Sequence, residues 1–229
     1  MQLLDPPKGP RMLIAREPVS NCSSVFSEKL DRATQKRKNE HNSGRLLLEK
    51  CVVKWGLPLD YLEVNRTSER APYLSWVQGS WRNNPLPGIS ISHSGKWAYC
   101  ALIEEGWWIG IDAESKDRVI QKNALDMFAK NEELEWIKEN PEQSIRIWTA
   151  KEAIQKVERM GMNLNPRNIE ILDYNVNTFE HEDMVISIAW KLAGDNPKKH
   201  EDELLELTRK AMQENPNFTI GCKTTRNSL

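Results

Sequence analysis

The stretch that decides the fold is Ile109-Gly110-Ile111-Asp112-Ala113-Glu114. Its β-branched residues predict a strand. Alternate side chains of a strand point to the same face, so Asp112 and Glu114 are expected to converge. A solvated acidic rim is the alternative for such a pair. The preceding tryptophans, Trp107 and Trp108, indicate a largely buried strand instead, where unpaired carboxylates would be costly.

A second stretch adds a third carboxylate and a cation to the two acids of the strand: Trp148-Thr149-Ala150-Lys151-Glu152-Ala153-Ile154-Gln155-Lys156. It predicts a helix on which Glu152 and Lys156, four positions apart, share a face. Taken alone, these two residues could form an ordinary solvated ion pair. Set beside the two carboxylates of the strand, they indicate a divalent metal site that handles phosphates, because hard oxygen ligands suit such a cation.

The composition narrows the class of protein. Lys and Arg number 32 and Asp and Glu 33, so the net charge of −1 gives no indication of a nucleic-acid or membrane-surface partner. The four cysteines are widely spaced without a CxxC pair, which favours reduced thiols over a zinc site or a disulfide framework. No apolar run approaches bilayer length. We therefore expect a soluble, cytoplasmic protein.

Helices and short strands alternate along the chain without Gly-rich βαβ turns, which predicts an α+β fold. The first half is expected to contain a helix ending at Gly56 and a three-stranded β-meander. The predicted meander strands are Ile89–Ser92, Trp97–Ile103 and Trp107–Ala113. The predicted elements of the second half are helices at Val119–Phe128, Glu132–Glu139 (capped by Asn131), Ser144–Met160 and Glu201–Met212, and strands at Asn168–Leu172 and Met184–Leu192.

Two further segments carry polar groups that could bind an anion. Ile91-Ser92-His93-Ser94 ends a strand with two hydroxyls and an imidazole, although a lone histidine at a strand end more often serves structure. Basic residues are concentrated between Lys36 and Arg45, for which plain solvation is the default interpretation.

Together these segments resemble the 4′-phosphopantetheinyl transferase superfamily. Its members look like [I/V]-S-H-S, then G-[I/V]-D-x-E, then [F/W]-[S/T]-x-K-E-[A/S]-x-x-K, and this chain has all three patterns in that order, ending at Ser94, Glu114 and Lys156. Residues 36–45 resemble the K-R-x-x-E-H-x-x-G-R stretch of the enterobactin-synthetase component D type. Arg70-Ala71-Pro72 resembles the turn before that group's histidine motif.

The resemblance implies transfer of the phosphopantetheine arm of coenzyme A to a serine of an acyl or peptidyl carrier protein, with release of adenosine 3′,5′-bisphosphate. It implies Mg²⁺ held by Asp112, Glu114 and Glu152, with Glu152 also acting as the base for the serine. It implies Lys156 at the leaving phosphate, with Lys151 a weaker candidate. The coenzyme A phosphates are assigned to Ser92 and His93, and the 3′-phosphate to Arg37, Arg45 and Arg70.

The length fits the longer members of the superfamily, which are monomers built from two similar α+β halves around a pseudo-twofold axis. The expected halves are residues 1–113 and 114–229, with the coenzyme A cleft between them. Two alternatives stay open from the residues. One is a non-catalytic subunit that binds coenzyme A or a carrier protein, and the other is an unrelated Mg²⁺-dependent phosphohydrolase.

Overall fold

The structure, a computed structural model, describes residues 1–28, 30–78 and 82–194. The chain divides into two compact units, Met1–Ala193 and Gly194–Leu229, and every element described below belongs to the first. The predicted helix at Glu201–Met212 lies outside the described residues. Of the helices in the described ranges, none is both long enough and apolar enough to cross a membrane.

The described residues of the first unit form strands and three α-helices. In chain order they are β1 (Gln2–Leu4), β2 (Met12–Pro18), α1 (Gln35–Trp55), β3 (Leu62–Arg66), β4 (Pro72–Trp76), β5 (Gly88–Ser94), β6 (Trp97–Ile103), β7 (Trp107–Ser115), α2 (Asn131–Glu139), α3 (Ser144–Glu158), β8 (Asn175–His181) and β9 (Met184–Leu192). All strand pairings are antiparallel, and helices pack on the sheets, so the predicted α+β class is confirmed.

The strands form a four-stranded sheet ordered β1-β2-β6-β5, a separate β3–β4 hairpin and a three-stranded sheet ordered β7-β9-β8. The predicted meander is therefore wrong at its third strand. β5 and β6 pair as a hairpin, but β7 leaves that sheet and pairs along its whole length with β9. As a result, β5 and β7 are edge strands of two different sheets.

Helix α1 covers one face of the first sheet. The Thr34 hydroxyl caps its start by accepting from the Arg37 N–H, and Gly56 ends it in the left-handed conformation, as the sequence predicts. Its apolar side chains Leu47, Leu48, Cys51 and Val52 are buried against β2 and β6. A Cβ on Gly44 would lie 2.8 Å from an Ile91 methyl, so the glycine lets α1 approach β5 closely.

Helix α3 covers the second sheet in a similar way. Ala153, Ile154 and Val157 pack against Ala189 of β9. At Gly110 of β7 an added Cβ would lie only 1.9 Å from the Ala153 carbonyl oxygen, so the strand and the helix touch backbone to backbone. The opposite faces of the two sheets pack on each other through a core that includes Ile14, Tyr99, Ile103, Ile111, Ile186 and Ile188.

Several predictions for the second half are wrong. The segment Val119–Phe128 forms only a short 3₁₀ turn, Lys122–Met127, although this turn is enough to bury Leu125 and Phe128. Residues 168–172 are not a strand. Pro166 starts a 3₁₀ turn before them, and the strand forms later, as β8.

The ends of the second-half helices also differ from the prediction. Lys130, not Asn131, occupies the N-cap position of α2, and it makes no side-chain capping bond. Helix α3 ends at Arg159 in the left-handed conformation, two residues before Gly161. The predicted strand Met184–Leu192 is confirmed as β9.

Candidate active site

Serine hydroxyls join the edge strands β5 and β7, which no backbone ladder connects. Ser90, Ser92 and Ser94 alternate along β5 and therefore face the same way. Ser90 Oγ accepts from the Ile111 N–H at 3.1 Å, Ser92 Oγ donates to Asp112 Oδ1 at 3.0 Å, and Ser94 Oγ donates to Glu114 Oε2 at 3.0 Å. The two carboxylates thus lie on one face of β7, as the period of the strand predicts.

Lys156 of α3 lies directly beside Asp112. Its Nζ donates to Asp112 Oδ1 at 2.8 Å, to the Ile111 carbonyl at 2.8 Å and to Ser92 Oγ at 3.0 Å. Because an ammonium has three donors, these bonds satisfy it fully. Ser92 therefore orients Asp112 and Lys156, and it does not line the cavity described below.

Glu114 is also paired with a cation. Arg118, in the turn after β7, donates from Nη1 to Glu114 Oε1, while Ser94 binds the other oxygen. Burial raises the pKa of Glu114, and the bonds from Ser94 and Arg118 oppose that rise. In the structure as it stands, Asp112 and Glu114 are each neutralised by a protein cation.

Glu152 of α3 has no such partner. It accepts no hydrogen bond from a described residue. Burial raises its pKa, and the negative charges of Asp112 and Glu114 raise it further, against an opposing effect of Lys156. A carboxylate with a raised pKa is a stronger base than an ordinary carboxylate, which suits it to accept a proton.

The three carboxylates can be tested as a metal site. Within the described ranges, no group of three His, Cys, Asp or Glu side chains lies close enough together to hold a metal ion. Yet, in addition to burial, the negative charge of Asp112 raises the pKa of both Glu114 and Glu152, so the carboxylates repel one another. A divalent cation would relieve that repulsion, and oxygen donors are what Mg²⁺ prefers. The chemistry of these oxygen donors suits the ion, but in this arrangement the three acids are not close enough to hold it, and Lys156 and Arg118 would also have to move.

A cavity of about 580 Å³ opens beside these residues, within the range of small-molecule sites. Its walls come from α1, the turn of the β3–β4 hairpin, β5 and the last turns of α3. Six permanently basic side chains line it: Arg37, Arg45, Arg66, Arg70, Lys156 and Arg159. The lining carboxylates are Glu69 and Glu152. Such an excess of positive charge is suited to a ligand with several negative charges.

His93 lies in the wall of this cavity beside α1. Arg37 Nη1 lies 2.5 Å from His93 Nε2, and since arginine can only donate, the imidazole nitrogen accepts. Burial lowers the pKa of His93, and the charges of Arg37 and Lys156 lower it further. A neutral imidazole at this position can still donate from Nδ1.

Arg45 and Arg66 share one carboxylate. Arg45 is only 2% exposed, and its Nη2 donates to Glu28 Oε1, which also accepts from Arg66 Nε and Nη2 at 3.4 Å. Burial opposes the ionisation of Glu28, but the two guanidinium groups outweigh it and lower its pKa. Glu28 therefore compensates much of the charge at this end of the cavity.

The structure brings most of the predicted residues together. Those in the cavity wall are Arg37, Arg45, Arg70, His93, Glu152 and Lys156, with Ser92, Asp112 and Glu114 adjoining Lys156 or β5. Lys151 is different: it is completely buried, and its Nζ donates to the Phe128 carbonyl at 2.8 Å and to Glu133 at 2.5 Å. This placement argues against its predicted role at coenzyme A.

The cavity wall also contains three basic residues that were not predicted from the sequence: His41, Arg66 and Arg159. Arg159 follows Glu152 by seven positions, a spacing that returns to the same helix face. That spacing is a signal that could have identified it.

Comparison with known proteins agrees with this geometry. Among curated proteins, none matches the chain. Residues 109–205, fewer than half of the 229, match a family model. They include most of β7 and all of α3, which supply Asp112, Glu114, Glu152 and Lys156. The matching model is that of the 4′-phosphopantetheinyl transferase superfamily, so the resemblance seen in the sequence is confirmed for this region of the chain.

Proposed function

We propose that this protein transfers the 4′-phosphopantetheine arm of coenzyme A to a serine of an acyl or peptidyl carrier protein, in a reaction that depends on Mg²⁺. The observation that carries the proposal is the position of Glu152. Its carboxylate accepts no hydrogen bond from a described residue, has a raised pKa, interacts with the charges of Asp112 and Lys156, and lines a strongly basic cavity. A base, a leaving-group cation and a polyanion site are what the reaction requires.

The serine oxygen of the carrier attacks the phosphorus that bears pantetheine, and Glu152 takes the hydroxyl proton. A new P–O bond forms as the bond from that phosphorus to the bridging pyrophosphate oxygen breaks. The bridging oxygen leaves with the electron pair as part of adenosine 3′,5′-bisphosphate, and Lys156 stabilises or protonates it. Mg²⁺, held by Asp112, Glu114 and Glu152, would neutralise the pyrophosphate.

The basic wall of the cavity is assigned to the coenzyme A phosphates. Arg37 and His93 are hydrogen-bonded to each other and face the cavity beside Lys156, which supports their contact with the pyrophosphate. Ser92 is reassigned: its bonds to Asp112 and Lys156 support a positioning role and not direct phosphate binding. Such positioning keeps the lysine beside the acid until a ligand arrives.

The proposal includes the two-half organisation, residues 1–113 and 114–229, in a cytoplasmic monomer. In support of two layers, α1 packs on antiparallel strands β2 and β6, and α3 packs on antiparallel strands β7 and β9. The boundary at residue 113 leaves most of β7 in the first half, whereas β7 pairs with β9 in the second sheet. The cavity receives side chains from α1 and β5 as well as from α3. A pseudo-twofold axis would relate the two helix-on-sheet layers.

A second candidate is a protein that binds coenzyme A or a carrier without catalysing transfer. The observation in its favour is that Lys156 and Arg118 neutralise Asp112 and Glu114, and that no described group of three acids is close enough for a metal. If these cations do not exchange for Mg²⁺, the cavity could bind coenzyme A without turnover. The third alternative, a phosphohydrolase, leaves the basic cavity unexplained.

The mass of a carrier protein tests these candidates. The purified protein is incubated with coenzyme A, Mg²⁺ and several apo carriers, and each carrier is weighed by intact mass spectrometry. Transfer predicts a gain of one phosphopantetheine group, absent with Asp112→Asn or Glu152→Gln. Tight coenzyme A binding without any mass gain would favour the non-catalytic candidate. Release of inorganic phosphate from simple esters, with no carrier modified, would favour the phosphohydrolase.

A further inference from the structure

A chain of hydroxyl groups joins α3 to the second sheet. Thr149 Oγ1 of α3 lies 2.8 Å from Ser187 Oγ of β9, and this oxygen lies 2.8 Å from Thr178 Oγ1 of β8. The Thr149 hydroxyl also donates to the Arg146 carbonyl at 3.1 Å. Thr149 and Ser187 are completely buried, so bulk water does not compete for these bonds.

The number of protons determines the direction of each bond in this hydroxyl chain. A hydroxyl group has one proton to donate. Because Thr149 gives its proton to the Arg146 carbonyl, Ser187 must donate to Thr149. Thr178 must then donate to Ser187. Every proton of the hydroxyl chain is therefore used, and removing one member breaks a defined bond.

The hydroxyl chain lies close to the acids of the candidate active site. Ser187 is the direct partner of Asp112 in the β7–β9 pairing and of Thr178 in the β8–β9 pairing. Glu152 follows Thr149 by three positions, so it lies about one turn further along the same face of α3. The hydroxyl chain thus attaches α3 to the sheet at the level of Asp112 and within about one turn of Glu152.

The apolar contacts of α3 with the same sheet do not fix the rotation of the helix. Ala153, Ile154 and Val157 pack against Ala189, and such contacts have no preferred direction. A hydrogen bond is directional and weakens steeply as its angle changes. At about 6 Å from the helix axis, a rotation of roughly 10° moves a side-chain atom by about 1 Å. A displacement of that size is enough to reduce an enzyme's rate about 10²-fold.

We propose that Ser187 is a positioning residue: by donating to Thr149 it fixes the rotation of α3 on the sheet and so holds the Glu152 carboxylate in place for the reaction. Ser187 does not line the cavity, so it acts through α3 and not on the ligand. Lys156 cannot replace it, because under the proposed function this lysine leaves Asp112 to serve the leaving phosphate. The effect on transfer rests on the proposed function, whereas the effect on α3 does not.

Two substitutions of Thr149 separate its hydroxyl from its packing. Thr149→Val keeps the shape and removes the hydroxyl, and Thr149→Ser keeps the hydroxyl and removes a methyl group. With coenzyme A, Mg²⁺ and an apo carrier, Thr149→Val and Ser187→Ala are expected to lower kcat about tenfold and to change the KM for coenzyme A less than about threefold. Thr149→Ser is expected to keep the wild-type kcat within about twofold. Packing alone would give the opposite order of the two Thr149 variants.

Thr178→Val is the matched control. It removes the donor at the outer end of the hydroxyl chain and leaves the bond between Ser187 and Thr149 intact. Its kcat should therefore stay within about twofold of the wild-type value. A wild-type kcat in Thr149→Val, or an equal loss of kcat in Thr178→Val and Ser187→Ala, would overturn the positioning role while the wild type could still modify its carrier.

Hydrogen exchange followed by mass spectrometry measures the attachment of α3 without relying on transfer. In Ser187→Ala and Thr149→Val, the amides of α3 should exchange about tenfold faster than in the wild type, while those of α1 keep their rate. Equal acceleration in both helices would mean a general loss of stability and would contradict the role of Ser187, as would unchanged exchange in α3. If the wild type modifies no carrier, the proposed function fails, and the exchange of α3 still decides whether Ser187 holds this helix.

Discussion

Replacing Gly110 by alanine should disturb the contact that aligns the candidate active site. The added Cβ would lie 1.9 Å from the Ala153 oxygen, 2.9 Å from the Ala153 carbonyl carbon and 3.0 Å from the Val157 nitrogen. All three atoms belong to the backbone of α3, so no side chain can rotate away. Ordinary contact begins near 3.4 Å, and α3 must therefore retreat from β7 by about 1.5 Å.

The size of this shift determines the expected losses of stability and of enzymatic rate. Overpacking of this kind costs about 3 kcal/mol of unfolding free energy, the upper end of the usual range, because the opposing atoms are backbone. For a unit of this size the melting temperature should fall by roughly 6–12 °C. The 2.8 Å bond between Lys156 and Asp112 joins α3 to β7 and would not survive such a shift. A displacement of about 1 Å can reduce an enzyme's rate about 10²-fold.

Circular dichroism recorded during heating measures the loss of stability, and the rate of carrier modification measures the loss of activity. Gly106→Ala is the control, because Gly106 has φ +82° but no atom within 4 Å of an added Cβ. It should cost about 1–2 kcal/mol through backbone conformation alone and leave the rate unchanged. A Gly110→Ala protein with the melting temperature and rate of the wild type would refute the close contact between β7 and α3.

Three further predictions follow from the contacts of the site. The raised pKa of Glu152 means that the folded state binds its proton more tightly than the unfolded state does, so ionisation costs stability as pH rises through the folded pKa. Glu152→Gln should therefore raise the melting temperature at neutral pH, and this gain should shrink as pH falls through the folded pKa and be absent below about pH 4. Arg118→Gln should tighten Mn²⁺ binding several-fold in a spectroscopic titration, because Glu114 loses a cation that competes with the metal. The control Lys116→Gln, in the same turn, should change the Mn²⁺ affinity less. Lys151→Ala should lower the melting temperature, because it leaves Glu133 and the buried Phe128 carbonyl unpaired. The affinity for coenzyme A should not change. A loss of that affinity without a loss of stability would support the role at coenzyme A that the sequence predicts for Lys151.

Local patterns were sufficient to predict the main elements, because each pattern has a local cause. A left-handed glycine ends α1 at Gly56, and period-2 alternation places Asp112 and Glu114 on one face. Strand pairing has no such local signal. The partner of β7 is β9, far along the chain, and nothing in residues 107–115 distinguishes that pairing from one with β6. The meander was therefore predicted from proximity in sequence and was wrong.

Helix geometry explains which lysine of α3 reaches the site. Five residues rotate an α-helix by about 140°, so Lys151 and Lys156 cannot both face β7. Lys156 is on the side of Glu152 and Asp112, and Lys151 is buried against Phe128 and Glu133. This distinction could have been drawn from the sequence. The pairing of Arg118 with Glu114 could not, because it depends on the conformation of the turn after β7.

The most direct test of the central claim is a stoichiometry. With coenzyme A, Mg²⁺ and an apo carrier, the adenosine 3′,5′-bisphosphate released is quantified by chromatography and compared with the phosphopantetheine gained by the carrier in intact mass. The proposed transfer predicts one bisphosphate for each modified carrier, and neither product with Glu152→Gln. Bound coenzyme A with neither product, for any of several carriers, would contradict it.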